Sequence, residues 1–213
     1  KTLLAAIEQH PFRALVTVLL SCGLRKGEAL GLTWADIDLD SPPATLTVRR
    51  ALKVAPGGAF LDEPKTAGSR RTVHLPAPVV DVLKRHRAEQ AAERLEFGPG
   101  WGGDWPDLVF TTTVGTPLDP SQVSRTVAKL TMHAGASYDA EGEIIPGTGL
   151  GRWTPHEFRH SAASLLIAQG VPLKVISEML GHSSISITAD VYGHLMEPAK
   201  AEAADAMESA LWG

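Results

Sequence analysis

The longest apolar run in the chain, Ala14 to Leu24, is closed by Arg13 on one side and Arg25 on the other. A membrane-crossing helix needs about 20 such residues, and this run is roughly half that length. It therefore reads as a helix buried in a core. Just ahead of it, Gln9, His10, Pro11 and Arg13 interrupt any signal-peptide core. With 44% hydrophobic and 21% charged residues among 213, the chain can build a sizeable core, as one large domain or a domain with an appendage. The single cysteine, Cys22, excludes a disulfide framework and fits a reducing, cytoplasmic setting. Its expected place is inside that helix, as a small apolar residue. A start at Lys1 rather than Met points to a piece of a longer protein.

Helical spacing covers residues 2–8 and 12–22, with His10-Pro11 between them. A short helix is expected in GLRKGEALGL. WADIDLD, ATLTVRRALKV and RTVHLP alternate as strands do, and APGGAFLDEPKTAGS reads as a hairpin-like connection with Lys65 near its tip. Further helices are expected over residues 78–96, from Pro120 to about His133, and from Thr154-Pro155 to about Gln169. VPLKVISEML, a short stretch from Ser184 carrying Tyr192, and the Ala-rich residues 198–211 complete the set. The Gly-rich segments around 97–107 and 135–151 read as loops. The fold class is α+β: mostly helical, with a small three-stranded antiparallel sheet.

The segment HEFRH, residues 156–160, fits two chemistries. As H-E-x-x-H it is a zinc-peptidase signature, and Glu178 stands eighteen residues past His160 as a candidate third ligand. As H-x-x-R it offers His156 and Arg159 for gripping a phosphate, and on a helix both share a face with His160. Arg159 opposes a dication at that point by charge repulsion. Ala163 and Leu166 also stand where an extended zinc motif would have glycine and a third histidine. No metal or cofactor is expected.

The net charge of −4 does not favour nucleic acid, but distribution matters more than the total. Arg25, Lys26, Arg49, Arg50, Lys53, Lys65, Arg70 and Arg71 all fall in the first half. The tail holds Glu197, Glu202, Asp205 and Glu208 against Lys200.

Three blocks in order, GLRKGEALGL with Arg25, TPHEFRHSAAS with His156 and Arg159, and LGHSSISITADVYGH with His182 and Tyr192, resemble the tyrosine recombinases of the phage-integrase family. PKTAGSRRTVHLP between the first two matches the family's strand hairpin with its catalytic lysine, here Lys65. The resemblance spans nearly the whole chain. It implies site-specific DNA recombination through a tyrosine nucleophile and a 3′-phosphotyrosyl intermediate, without metal or ATP.

By that resemblance Arg25 and Arg159 clamp the nonbridging oxygens, since guanidinium stays charged and offers several donors. Tyr192 attacks, and Tyr138 lacks such surroundings. His156 acts as acid/base. Lys65 protonates the departing 5′-oxygen, with Lys53 as the alternative, and His182 donates to a nonbridging oxygen or orients Tyr192. Glu28 and His160 support the site, and Lys26, Arg70 and Arg71 contact DNA. The partners implied are double-stranded DNA with specific sites and, on it, three further copies in a homotetramer formed from free monomers; no membrane is involved. Residues 1–197 would form the catalytic domain and 198–213 a helix that docks on its own domain or a neighbour. The family's N-terminal core-binding domain is absent from this sequence, so weak DNA affinity is expected. A type IB topoisomerase shares the chemistry and a zinc peptidase the pentapeptide; both stand as alternatives.

Overall fold

The computed structural model describes residues 1–63, 70–196, 205 and 207–212. The predicted core helix is α2 (Arg13–Cys22), in which Ala14 to Leu19 and Cys22 are all buried. It follows the short α1 (Thr2–Ala6) and packs against both α4 (Ala77–Phe97) and α6 (Pro155–Ala168). Its Leu15, Val16, Val18 and Leu19 join Leu24, Leu30, Leu83 and Phe158 in one cluster. Each such side chain contributes about 1.5–3 kcal/mol when fully buried, so α2 is the element around which the rest assembles. Cys22, fully enclosed, has its thiol pushed up to about 12 by burial against a smaller opposing pull from Arg71, which keeps it an unreactive packing group.

Between α3 (Lys26–Leu30) and α4 lie five short strands: β1 (Ile37–Asp38), β2 (Thr45–Val48), β3 (Ala51–Ala55), β4 (Gly58–Asp62) and β5 (Arg71–His74). The expected three-stranded antiparallel sheet is present in the order β1-β2-β5. Leu46 pairs with Ile37 on one side and Val73 on the other, so the alternating apolar face points into the core.

Two strand expectations need correction. WADIDLD opens as a 3-10 turn over Trp34–Asp36, because the Asp36 carboxylate accepts from the Thr33 amide at 2.9 Å and the Thr33 hydroxyl at 2.8 Å. ATLTVRRALKV breaks at Arg49-Arg50, whose guanidiniums turn toward that same buried carboxylate at 3.3 and 3.5 Å. Its second half, β3, then forms a separate two-stranded hairpin with β4. The hairpin turns at Pro56-Gly57, well before Lys65; residues 64–69, Lys65 among them, lie outside those described.

The β3–β4 hairpin lies on α3. A Cβ on Gly27 would come within 2.8 Å of the Leu52 carbonyl oxygen, and one on Gly31 within 2.9 Å of the Leu52 amide nitrogen. These two glycines, one helical turn apart, let the strand backbone rest directly on the helix that follows Arg25.

The C-terminal third is helical: α5 (Pro120–His133), α6, α7 (Leu173–Leu180) and α8 (Ile185–Tyr192), then a 3-10 turn over Gly193–Met196. Residues 135–151 form the expected excursion, closed on itself by a bridge between Tyr138 and Ile144 and by hydrogen bonds such as that from the Ile145 amide to the Ser137 carbonyl at 2.9 Å. Of the Ala-rich end, residues 207–212 are helical, with Met207, Leu211 and Trp212 exposed; 197–204 and 206 lie outside the described part. Among the described residues no helix is long and apolar enough to cross a membrane.

Candidate active site

α2 ends at Gly23, whose φ of 61° lies in the left-handed region; a Cβ there would also meet Leu180 Cδ2 at 2.6 Å. The last carbonyls of a helix lack intrahelical partners and carry partial negative charge. Arg159, from the second turn of α6, donates Nη1 to the Gly23 carbonyl at 2.8 Å. Its residue is 3% exposed, yet Nη2 has no hydrogen-bond partner among the described residues. A buried donor on a charged group is costly to leave unmet, and this one suits an anion. Burial, then the charges of Arg25 and Arg71, push the guanidinium down to about 10, still cationic at neutral pH. α6 itself starts where Thr154 and Glu157 cap each other reciprocally, with Pro155 at its first position.

Arg25 stands at the N-cap of α3. The Glu28 carboxylate accepts from the Arg25 amide at 2.8 Å and from Arg25 Nη1 at 2.9 Å. On its other side Glu28 accepts from Arg71 Nη1 at 3.1 Å and Nη2 at 2.7 Å, a two-pronged pair with side chains only 9% and 6% exposed. Arg71 Nε also donates to the Met179 carbonyl at 2.6 Å, and Gly181 lies against its guanidinium. One buried arginine thus ties β5, α3 and the end of α7. Burial would raise the Glu28 carboxyl, but the hydrogen bonds and charge of Arg71, joined by Arg25, hold it below the usual carboxylate range.

α8 brings Tyr192 into the interior, 5% exposed and packed with Ala163, Ile176 and Leu180. Its Oη lies 2.6 Å from His160 Nδ1. Burial raises the phenol and the charge of Arg159 partly offsets it. The ring of His156, exposed at the start of α6, meets that of His160 edge-on at 4.5 Å. His182, just after the left-handed C-cap Gly181, places Nδ1 2.8 Å from the hydroxyl of the fully buried Thr188. Burial, then the charges of Arg159, Arg25 and Arg71, push His182 down to about 4, so it is neutral at pH 7. Contacts link these parts: Arg159 holds the Gly23 carbonyl two residues before Arg25, Gly181 beside His182 lies against Arg71, and Tyr192 packs with Leu180 at the end of α7.

These contacts show where the structure places the other residues singled out in the sequence. Arg71, read as a DNA contact, is the buried brace just described. Lys26, read likewise, spends its ammonium on the Pro120 carbonyl and Ser124 hydroxyl, both at 2.8 Å, and fastens α3 to α5. Arg70 is exposed and pairs with Glu63 at 2.9 Å. Lys53, the alternative to Lys65, pairs with Asp62 at 2.5 Å. His182 touches Thr188 rather than Tyr192; His160, expected only to support the site, makes the tyrosine contact. Tyr138 has a histidine after all, His133 at 2.8 Å, but both are exposed on the surface. Thr188 was not singled out, although its place six residues past His182 within the same motif was a usable signal.

The zinc arrangement is not assembled. Glu157 caps its own helix, His160 Nδ1 faces Tyr192, and Glu178 pairs with Lys174 at 3.2 Å. Among the described residues no three His, Cys, Asp or Glu side chains gather as a metal-binding group.

Comparison with known proteins gives the family. The profile described as the phage integrase family matches residues 1–198. A tyrosine recombinase XerC-like protein of Caldanaerobacter subterraneus is 35% identical over 97% of this chain and 51% of its own length. An integrase of Streptomyces ambofaciens is 37% identical over 93% and 48%. The chain thus spans about half the length of these relatives. Among solved structures, the Tn1549 transposon integrase in complex with transposon right-end DNA superposes with a TM-score of 0.75 at 24% identity, covering 99% of this chain and 63% of that one. The XerA recombinase does so at 0.67 and 24%, covering 100% and 62%; at such identity the likeness speaks for the fold. A family profile covering nearly the whole chain, two relatives above 30% identity and a shared fold lead to one conclusion: the chain belongs to the phage integrase family.

Proposed function

We propose that residues 1–197 are the DNA breaking-and-rejoining domain of a site-specific tyrosine recombinase. The observation that carries this reading is Arg159, a buried guanidinium with one nitrogen held by the Gly23 carbonyl and another without a hydrogen-bond partner among the described residues, on the helix whose Ala163 packs against Tyr192. A phosphodiester is the anion that makes chemical sense of both.

In this mechanism the scissile phosphate seats between Arg25 and Arg159. As Tyr192 Oη approaches phosphorus, negative charge grows on the nonbridging oxygens, and the two arginines stabilise it more strongly in the transition state than before it. Neutral His182, oriented by Thr188, is suited to donate Nε2–H to one of those oxygens without adding charge. His160 borders the phenol, with the His156 ring edge-on against it, and these histidines handle protons. The Oη–P bond forms, the P–O5′ bond breaks, and the 5′-oxygen takes a proton, a role fitting Lys65. The phosphotyrosyl ester retains the bond energy, so a 5′-hydroxyl from another duplex can reverse the step. This permits exchange of strands between two sites, in a homotetramer of otherwise free monomers, with residues 198–213 as a helix that docks on its own domain or a neighbour.

The test is covalent capture. Nicked duplexes with a randomised arm are incubated with the chain, and SDS-stable adducts are recovered and sequenced. The reading expects adducts that vanish in Tyr192→Phe, and then, on paired sites, four-way junctions. Adducts that relax supercoils but never yield junctions would favour a topoisomerase instead.

A further inference from the structure

We propose that His160, rather than His156, is the general base that takes the phenolic proton of Tyr192. The inference rests on the reading of Tyr192 as nucleophile and assigns the proton step within it. In that step the Oη–H bond breaks, the proton passes to His160 Nδ1, and the Oη–P bond forms. The electron pair of the P–O5′ bond leaves with the 5′-oxygen, which is protonated by a separate acid. In the reverse step His160 returns its proton to the departing phenolate.

Four observations point to His160. Its Nδ1 lies 2.6 Å from Tyr192 Oη, within reach for direct transfer, and no other hydrogen bond to Oη exists among the described residues. Tyr192 is buried, so bulk water competes poorly for its proton. The two side chains come from packed helical segments, α6 and the end of α8, and the His156 ring braces the imidazole edge-on. His156 is exposed, and among the described residues the contacts to the phenol ring and its oxygen come from His160.

The electrostatic surroundings fit a base that is neutral before the step. Facing His160 from its own helix are His156, Glu157 and Arg159. Tyr192 faces it from α8, His182 from the α7–α8 turn, and Lys1 across the adjoining cavity. Burial, then the charges of His156 and Arg159, hold the imidazole below its usual range, and Glu157 opposes them. The same Arg159 that disfavours imidazolium favours phenolate. A cavity of about 580 Å³, lined by Leu20, Trp153, Ser164 and His160 among others, opens beside the ring. It gives a small imidazole a route to the position if the side chain is removed.

Two measurements test the assignment. The chain has only two tyrosines, so 13Cζ-tyrosine NMR in a Tyr138→Phe background reports Tyr192 alone. Its shift is expected to inflect below pH 6.5 as His160 protonates, and His160→Gln is expected to abolish that inflection. Covalent capture of a duplex selected from the randomised pool is then followed against pH. His160→Ala is expected to lose at least 100-fold in rate and the acidic limb of the profile, and added imidazole to restore at least tenfold. Should His160→Ala fail to fold, His160→Gln is expected to show the same lost limb.

A Tyr192 signal without the inflection, or capture in these variants that keeps the wild-type pH profile and ignores imidazole, overturns the base assignment. In that case an adduct still formed at Tyr192 leaves the recombinase reading standing. Absence of any Tyr192 adduct in the unsubstituted chain would remove that reading and this inference together.

Discussion

Arg71→Met should be far more damaging than a surface charge deletion. The substitution leaves the Glu28 carboxylate, 9% exposed, with Arg25 as its only cation among the described residues, and it strips the Met179 carbonyl of its donor. Removing one partner of a buried ion pair costs about 3–5 kcal/mol, because the other charge stays buried and uncompensated. For a domain of this size each kcal/mol is about 2–4 °C in melting temperature, so a fall of about 6–20 °C is expected by circular dichroism. Glu28→Gln keeps an acceptor for the Arg25 amide while removing the charge. The double variant Arg71→Met/Glu28→Gln should therefore be more stable than additivity predicts, by about 2 kcal/mol or more.

The coupling has a definite pH dependence. Glu28 titrates below its unfolded value of about 4.3, so the pair's stabilisation is fully present above that value. It disappears as pH falls through the lowered folded value. A fall of less than 2 °C in the single variant, or additive losses at pH 7, would refute the idea that this pair braces the site.

Other substitutions separate the site's parts. Arg159→Lys keeps one positive charge but cannot both hold the Gly23 carbonyl and present a planar fork to phosphate; covalent capture should slow about 100-fold or more, and a loss under tenfold would count against the clamp. Gly31→Ala puts a methyl within 2.9 Å of the Leu52 amide, so urea unfolding should show a loss of about 1–3 kcal/mol from overpacking. Tyr192→Phe keeps the ring among Ala163, Ile176 and Leu180 and loses only the hydroxyl's hydrogen bond; stability should change by no more than about 1.5 kcal/mol while capture disappears.

Local pattern made much of the fold legible. Helix starts at Pro120 and Pro155, the left-handed stop at Gly181 and the apolar run of α2 were readable because each depends on neighbours in sequence. The break at Arg49-Arg50 was not, since β2 and β3 alternate in phase and only the buried Asp36 carboxylate, thirteen and fourteen residues earlier, separates them. Arg70 and Arg71 look alike as a basic pair on a strand, yet alternation sends one to solvent and the other under Glu28. The arginines and histidines of the site could be picked out by motif. Their pairing could not: His160 reaches Tyr192 across 32 positions, and Arg71 reaches the Met179 carbonyl across 108. Such contacts follow from how α6, α7 and α8 pack, which short motifs do not encode.

Peptide mapping of the captured adduct tests the central claim most directly. Nuclease trimming of the adduct followed by mass spectrometry should find a 3′-linked nucleotide on Tyr192 alone, with Tyr138 unmodified. A nucleotide on Tyr138 or on any serine, or an undiminished adduct in Tyr192→Phe, would contradict it.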